Sequence, residues 1–394
     1  MFLDALRKQN QPLIDASIGL LRQHKLTPDT WVIDVDMVKQ NARRILQTAE
    51  EYRVTPYVMS KQFGRNPWLT QQIIDQGFSG AVAVDFREAR CLANNGVPLR
   101  HLGHLVQIPD GEIESALRCR PEVITVFSFE KARRIAECAR RLGMRQRLLL
   151  KVCQTGDIVY PGQEGGFQPD ELVDVAARIA ALGGVEIVGV TNFPCALASA
   201  TAGESLTTPN FTTLVNAAKT LRAAGFPIEQ VNAPSANSCN TIPALARGGA
   251  THIEPGHAFT GTIPANEYGD QPERIAMLYL SEVSHNAGSN SLCFGGGYYR
   301  RGRLRNALVF TGDTPSETRT LPFKSDNIDY YLGLEGNFAV GSPVIMCFRT
   351  QIFVTRSDVA LIQGISAGRQ RWPGSTTAWA IPSSRGNSQT PSAS

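Results

Sequence analysis

The chain has 394 residues, a mass of 42.9 kDa and a formal net charge of +4. That is long enough for two domains, and too mildly basic, with acids and bases interspersed, for a nucleic-acid surface. Hydrophobic residues make up 42% and charged residues 19%, an ordinary globular balance, and no apolar run approaches the length of a membrane span. The first residues, Met1 to Lys8, carry charges early and show no cleavage site, so a cytoplasmic protein is expected. Eight cysteines are scattered without a Cys-x-x-Cys pair, which argues for free thiols in a reducing compartment and against a zinc site. His101 and His104 are three apart, but on an apparent strand, where they are expected to face opposite sides.

In chain order, Phe2 to His24 reads as a helix, Trp31 to Val35 as a strand and Met37 to Tyr52 as an amphipathic helix. A strand–helix rhythm then runs for about 200 residues, the span of an α/β barrel. The strands are Pro56 to Ser60, Gly80 to Val84, Arg100 to Gly103, Val123 to Phe127, Arg147 to Val152, Glu186 to Val190, Ile228 to Asn232 and Thr251 to Ile253. Parallel strands buried on both faces read as apolar runs, as these do. A (β/α)8 barrel is therefore expected over residues 31–270, behind a helical segment at 1–30. An open doubly wound sheet is the alternative, weakened by the lack of a Gly-x-Gly-x-x-Gly after the first strand.

From about residue 271 the pattern changes to strands with turns: Ala276 to His285, Leu292 to Gly295, Asn306 to Phe310, Val344 to Thr355 and Asp358 to Ile362. This predicts a C-terminal all-β domain over 271–365, into which the strand at 31–35 is expected to pair. The tail at 366–394 is rich in Ser, Thr, Pro and Gly and reads as disordered.

Barrel chemistry collects at the carboxyl ends of the strands. Here those ends hold Lys61, Asp85, His104, Ser128, Cys153 with Gln154, Asn192, Ser235 to Ser238 and Glu254. Some have plainer uses: Asp85 and Ser128 can cap the following helix, and His104 can be a rim histidine. Lys61 ends the first strand, where an ammonium must be solvated, paired or converted, for instance to a Schiff base; a rim lysine reaching water is the plain alternative. Pro234 to Ser238, just before a helix, suits a phosphate. Glu254-Pro255-Gly256-His257 places a carboxylate beside it, with Gly256 allowing close backbone approach. A lysine, an anion cradle and a carboxylate together suit pyridoxal phosphate; a sugar-phosphate barrel enzyme using Lys61 directly is the alternative.

Six segments carry a family resemblance: Trp31 to Asp36, Ser60 to Pro67, Val84 to Ala89, Asn232 to Ser238, Glu254 to Gly261, and Gly295 to Arg300. Over roughly Trp31 to Ile365 the chain resembles the fold-type III pyridoxal-phosphate enzymes, the alanine racemase-like group, and within it the YhfX-type proteins and ornithine racemases. The resemblance implies a homodimer with shared active sites and an amino-acid substrate. Lys61 matches the lysine that holds the cofactor as an aldimine and carries a proton on one face. Ser238, Gly256 and His257 match phosphate contacts, and Asp85, His104, Asn192, Ser235 and Glu254 complete the candidate cofactor site. Tyr298 or Tyr299 matches a second base reaching in from the partner subunit. The loop Cys347 to Arg349 resembles a second partner loop, with Arg349 a carboxylate contact. The activity implied is amino-acid racemisation through an α-carbanion. A decarboxylase or lyase on the same scaffold, or a non-catalytic cofactor-binding protein, are the alternatives.

Three departures bear on that expectation. Alanine racemases have an arginine where Glu254 stands, many relatives have a ring-packing histidine where Asn192 stands, and Arg65 replaces the tyrosine four residues after the lysine. An acid at 254 keeps a ring nitrogen protonated, which brings decarboxylation or elimination into reach. The tail departs most. Relatives continue with a segment like Ile-Tyr-Asp-Ser-Leu-Gly-Asn, which can be read from plausible codons for Pro373 to Ile381 shifted by one base, so a change of frame near Arg369 is expected.

Overall fold

The computed structural model describes residues 1–199, 203–365 and 371–377, the last of these as backbone only. They fall into two compact units. One is built from Arg43–Ser60 and Pro67–Gly256. The other combines Met1–Ala42, Lys61–Asn66 and the described residues from His257 onward. The units therefore interleave along the chain instead of following the contiguous boundaries at 30, 270 and 365.

The first unit is the barrel, with all eight expected strands present: Thr55–Met59 (interrupted at Tyr57), Ala81–Ala83, Leu99–Leu102, Val123–Val126, Gln146–Lys151, Val185–Thr191, Gln230–Asn232 and His252–Ile253. Every pairing is parallel. The first strand closes the ring. Thr55 and Pro56 pair with the eighth strand, Val58 and Met59 with the second. Its amides alternate accordingly: Tyr57 and Met59 donate to Ile253 and Pro255, while Val58 donates to Gly80. Pro56, which has no N–H, costs this ladder no bond. Apolar side chains fill much of the interior, among them Val82, Val84, Val123, Leu149 and Val188. Between strands run the expected helices, Phe129–Arg141 and Pro209–Ala223 being the longest here.

The second unit is built on an all-β sheet. Thr30–Asp34 lies inside it, antiparallel to Met277–Ala287 and parallel to Asp358–Gln363. The helix Leu3–Arg22 contains Pro12 and leaves helical geometry at Asn10, whose amide donates to Asp34 and to the Ile275 carbonyl. Leu6, Leu13, Ile14, Val32, Leu278, Ile345 and Ile362 share one buried cluster there. Two strands were not expected, Thr314–Arg319 and Tyr331–Glu335. The long strand expected over Val344 to Thr355 stops at Met346 and is followed by a 3-10 turn at Ile352–Val354. The tail is likewise corrected in part: Arg371–Thr377 forms a strand antiparallel to Asp358–Gln363. The rest of 366–394 lies outside the described residues. No described helix is long and apolar enough to cross a membrane, and all eight cysteines are free.

Candidate active site

The carboxyl end of the barrel holds a buried polar cluster around Glu254. The third strand ends at Leu102, and Gly103 follows with φ +81°. That left-handed residue breaks the strand's alternation. His101 and His104 consequently do not face opposite sides, as strand geometry had suggested; both converge on Glu254. His101 Nδ1 is 2.5 Å from Glu254 Oε1, and His104 Nδ1 is 3.3 Å from Oε2. Asn232 Nδ2 donates to Oε1 at 2.6 Å. On its far side, His101 Nε2 lies 2.5 Å from the Thr125 hydroxyl. The backbone N–H of Glu254 donates to Asn237 Oδ1 at 2.8 Å, and Asn237 in turn donates to the Ala233 carbonyl. His104 is thus an interior residue with a carboxylate neighbour, not a rim histidine.

Burial alone would raise the Glu254 pKa, but the charges of His104 and His101, with hydrogen bonds from His101 and Asn232, outweigh it and hold the carboxyl at about 2. Glu254 is therefore an anion, fully buried, with Oε2 accepting no hydrogen bond among the described residues. His252, two residues earlier on the same strand, is pushed down to about 4, chiefly by burial.

The other strand-end residues divide by use. Asp85 and Ser128 cap the next helices, accepting from Glu88 and Lys131 amides. The Asn192 amide bonds Asp157, the Asn210 carbonyl and the Phe193 amide, so it is tied into its own loop. Ser235 and Ala236 have positive φ (+91° and +47°), and the Ser235 hydroxyl donates to the Ala196 carbonyl. The buried Ser238 amide donates to Thr241 Oγ1, so one amide of the expected anion cradle is already engaged. Cys153 and Gln154 lie on the loop after the fifth strand, partly or largely exposed. Ser60, the last barrel residue before Lys61, donates to the buried Glu88 at 2.6 Å.

In the other unit, Lys61 opens a 3-10 turn, Lys61–Phe63, and is only 7% exposed. His257 is half-buried. Burial, reinforced by the positive charges of Arg349 and Lys61, drives its pKa well below the usual histidine range. Its Nε2 has no hydrogen-bond partner among the described residues. Arg349 thus contributes one of the charges that act on His257 of the same chain. The buried Arg65 guanidinium lies 4.6 Å over the Phe353 ring. Tyr298 stacks on Phe323, with centroids 3.8 Å apart, and its amide donates to Asp329; Tyr299 has no such ring contact among the described residues.

The alanine racemase N-terminal domain family matches residues 33–264. The chain belongs to the alanine racemase-like family. A second match, to the YhfX-like C-terminal domain, covers residues 278–371. Protein YhfX of Escherichia coli (strain K12) is 50% identical over 370 residues, which is 93% of this chain and 96% of that protein. Among solved structures, D-threonine aldolase from Filomicrobium marinum superposes with a TM-score of 0.68 at 14% identity, covering 90% of this chain and 95% of that one. An alanine racemase from Clostridium difficile 630, in complex with cycloserine, gives 0.62 at 17% identity, covering 88% and 98%. D-threo-3-hydroxyaspartate dehydratase from Delftia sp. HT23 gives 0.62 at 18%, covering 87% and 95%.

Enzymes of this family use pyridoxal 5'-phosphate. The residues present fit it. Glu254 Oε2 is a buried acceptor that receives no hydrogen bond among the described residues, with His104 Nδ1 3.3 Å away, and is suited to a protonated ring nitrogen; His257 Nε2 is a second buried polar atom that makes no hydrogen bond among them. Lys61 directly follows the first strand and is an amine of the kind the cofactor's aldehyde requires. His101, Thr125, Asn232 and Asn237 were missed as site residues. Asn232 and Asn237 lie in a motif already singled out, but His101 and Thr125 are mid-strand, where nothing in the sequence marks the inward face as polar.

Proposed function

We propose that this chain is a pyridoxal-phosphate enzyme that removes and returns the α-proton of an amino acid, and so racemises it. The observation carrying this reading is the buried Lys61 directly following a barrel strand, together with the buried Glu254 anion at the end of the eighth. When bound, the cofactor supplies an aldehyde that captures an amine and a ring that draws electrons from Cα. Lys61 would hold the aldehyde and, released by the incoming amine, serve as the base on one face. Ser238, Gly256 and His257 would hold the phosphate, and Glu254 the ring nitrogen. His257, kept neutral by burial and by the neighbouring cations, can donate one N–H without adding charge. Asp85, Asn192 and Ser235 would act less directly, through the loops they fix.

The opposite face needs a second base. Tyr298 and Tyr299 are the candidates, in a homodimer with shared sites, and the stacking of Tyr298 on Phe323 favours Tyr299. Arg349 would meet the substrate carboxylate, as a fork that matches two oxygens. A second reading, a decarboxylase or other lyase on the same scaffold, is favoured by Glu254: an anion at the ring nitrogen strengthens electron withdrawal. Two of the structural neighbours are, by name, an aldolase and a dehydratase.

Added pyridoxal phosphate should give wild type a yellow absorbance band. Borohydride should fix the cofactor mass on the Lys61 peptide, and Lys61→Ala should abolish both. Amino acids in deuterated water then separate the readings. Deuterium at Cα with loss of optical rotation is racemisation; carbon dioxide, aldehyde or keto acid is the lyase. Cofactor uptake with no exchange across the panel would overturn both.

A further inference from the structure

Glu254 belongs to a chain of side chains that runs deeper into the barrel than a cofactor contact needs. Thr125, His101 and Glu254 come from the fourth strand, the third strand and the end of the eighth, and His101 and Glu254 are wholly buried. The protons can be placed. Oε1 of an anionic carboxylate only accepts, so His101 Nδ1 carries hydrogen and donates to it across 2.5 Å. Asn232 Nδ2 donates to the same oxygen, and its 3.2 Å approach to His101 Nδ1 is two donors converging on one acceptor. His101 Nε2 faces only the Thr125 hydroxyl, which donates to a neutral imidazole or, rotated, accepts from an imidazolium. With Oε1 held twice, Oε2 is the atom left to face a ligand.

We propose that His101, backed by Thr125, is a positioning residue that fixes Glu254 as an anion with Oε2 presented, and thereby selects the cofactor with a proton on its ring nitrogen. This rests on the reading that the chain binds pyridoxal phosphate. His104, beside Oε2 at 3.3 Å, and His252, two residues before Glu254, are further titratable groups close to it, and Tyr57 and Cys195 also sense its charge.

The same three residues, His101, His104 and Glu254, bring ligand atoms within 4.8 Å of one another, a donor set some metals accept. The geometry favours a proton instead. Donors on one ion, each about 2.0 to 2.2 Å from it, ordinarily sit roughly 3 Å apart or more. The 2.5 Å between Nδ1 and Oε1 is a hydrogen-bond distance, and Oε1 is also engaged by Asn232.

The test is solid-state nitrogen NMR of the protein loaded with cofactor labelled at the ring nitrogen, alongside cofactor titration and metal analysis. In wild type the ring nitrogen should be protonated. His101→Phe should shift it toward the neutral form and weaken cofactor affinity by about tenfold, the loss of one charge-assisted contact. His101→Gln, whose amide can still donate to Oε1, should recover part of both. Thr125→Val, nearly isosteric, should move the shift the same way by less, and serves if His101→Phe does not fold. Identical nitrogen shifts in wild type, His101→Gln and Thr125→Val would overturn the inference while leaving cofactor binding intact. No uptake by wild type would overturn both. A stoichiometric metal lost on His101 or His104 substitution would overturn it in favour of a metal centre.

Discussion

Inside the barrel, His252 offers a test of how its electrostatics bear on stability. It lies on the eighth strand with its Nδ1 2.8 Å from the Thr251 hydroxyl and its ring 5.2 Å from that of Tyr57. Burial, opposed by the charge of Glu254 and helped by those of Arg147 and His101, lowers its pKa from 6.5 to about 4. Between those two values the unfolded chain binds a proton there and the fold does not. Stability therefore rises with pH across that window and is lost as pH falls through it. Each pH unit is worth about 1.4 kcal/mol, so between pH 7 and pH 5 this residue alone should cost about 2 kcal/mol. The ring keeps some exposure, so solvent screening makes that an upper value. Urea unfolding followed by circular dichroism, for wild type and His252→Gln at both pH values, gives the difference of two differences and cancels every other titrating group. The variant should lose less stability than wild type on acidification, by 1 to 2 kcal/mol on the same estimate. Equal losses in the two proteins would refute the argument.

Two further substitutions probe the frame around the candidate site. Asp29 has its pKa raised from 3.8 to about 6, chiefly by burial against weaker help from Ser357, Tyr279 and Arg356. Its stabilising neutral form is present below 3.8 and lost as pH rises through 6, so Asp29→Asn, at a residue of φ +64° that asparagine tolerates, should stabilise the fold near pH 7 by about 2 kcal/mol and flatten its pH profile between those values; unchanged urea midpoints would contradict it. Gly189 lies in the sixth strand where an added Cβ would sit 2.2 Å from the Gln230 carbonyl oxygen and 2.7 Å from a Leu149 methyl. Gly189→Ala should cost roughly 3 kcal/mol or fail to yield folded protein, and a melting temperature within a degree or two of wild type would show that the barrel wall yields more easily than its packing implies.

The barrel was legible because parallel strands buried on both faces leave apolar runs at regular intervals, and helices between them leave another period. Thr314–Arg319 left no such trace: nearly all its residues are exposed, so nothing selects apolar side chains there. Tyr331–Glu335 is short and interrupted by Gly333. The interleaving of the two units was hidden for a different reason. Sequence position says where Thr30–Asp34 begins, but only pairing with strands some 250 and 330 residues later decides which unit it joins.

At the candidate site, residue type at a strand end was enough to single out Lys61 and Glu254, because a charge there needs a reason. Their neighbours needed the closed ring. His101 and Glu254 are 153 residues apart, and only closure brings the third strand opposite the end of the eighth. Strand alternation even argued against grouping His101 with His104, and one left-handed glycine, Gly103, reverses that argument. The physical demand was nevertheless present in the sequence. A carboxylate predicted to be partly buried must find a cationic or hydrogen-bonding partner, and the barrel strands offer few inward candidates able to supply one. His101, Thr125 and Asn232 are the polar groups that the closed barrel gathers around that acid, from strands that lie far from it in the sequence.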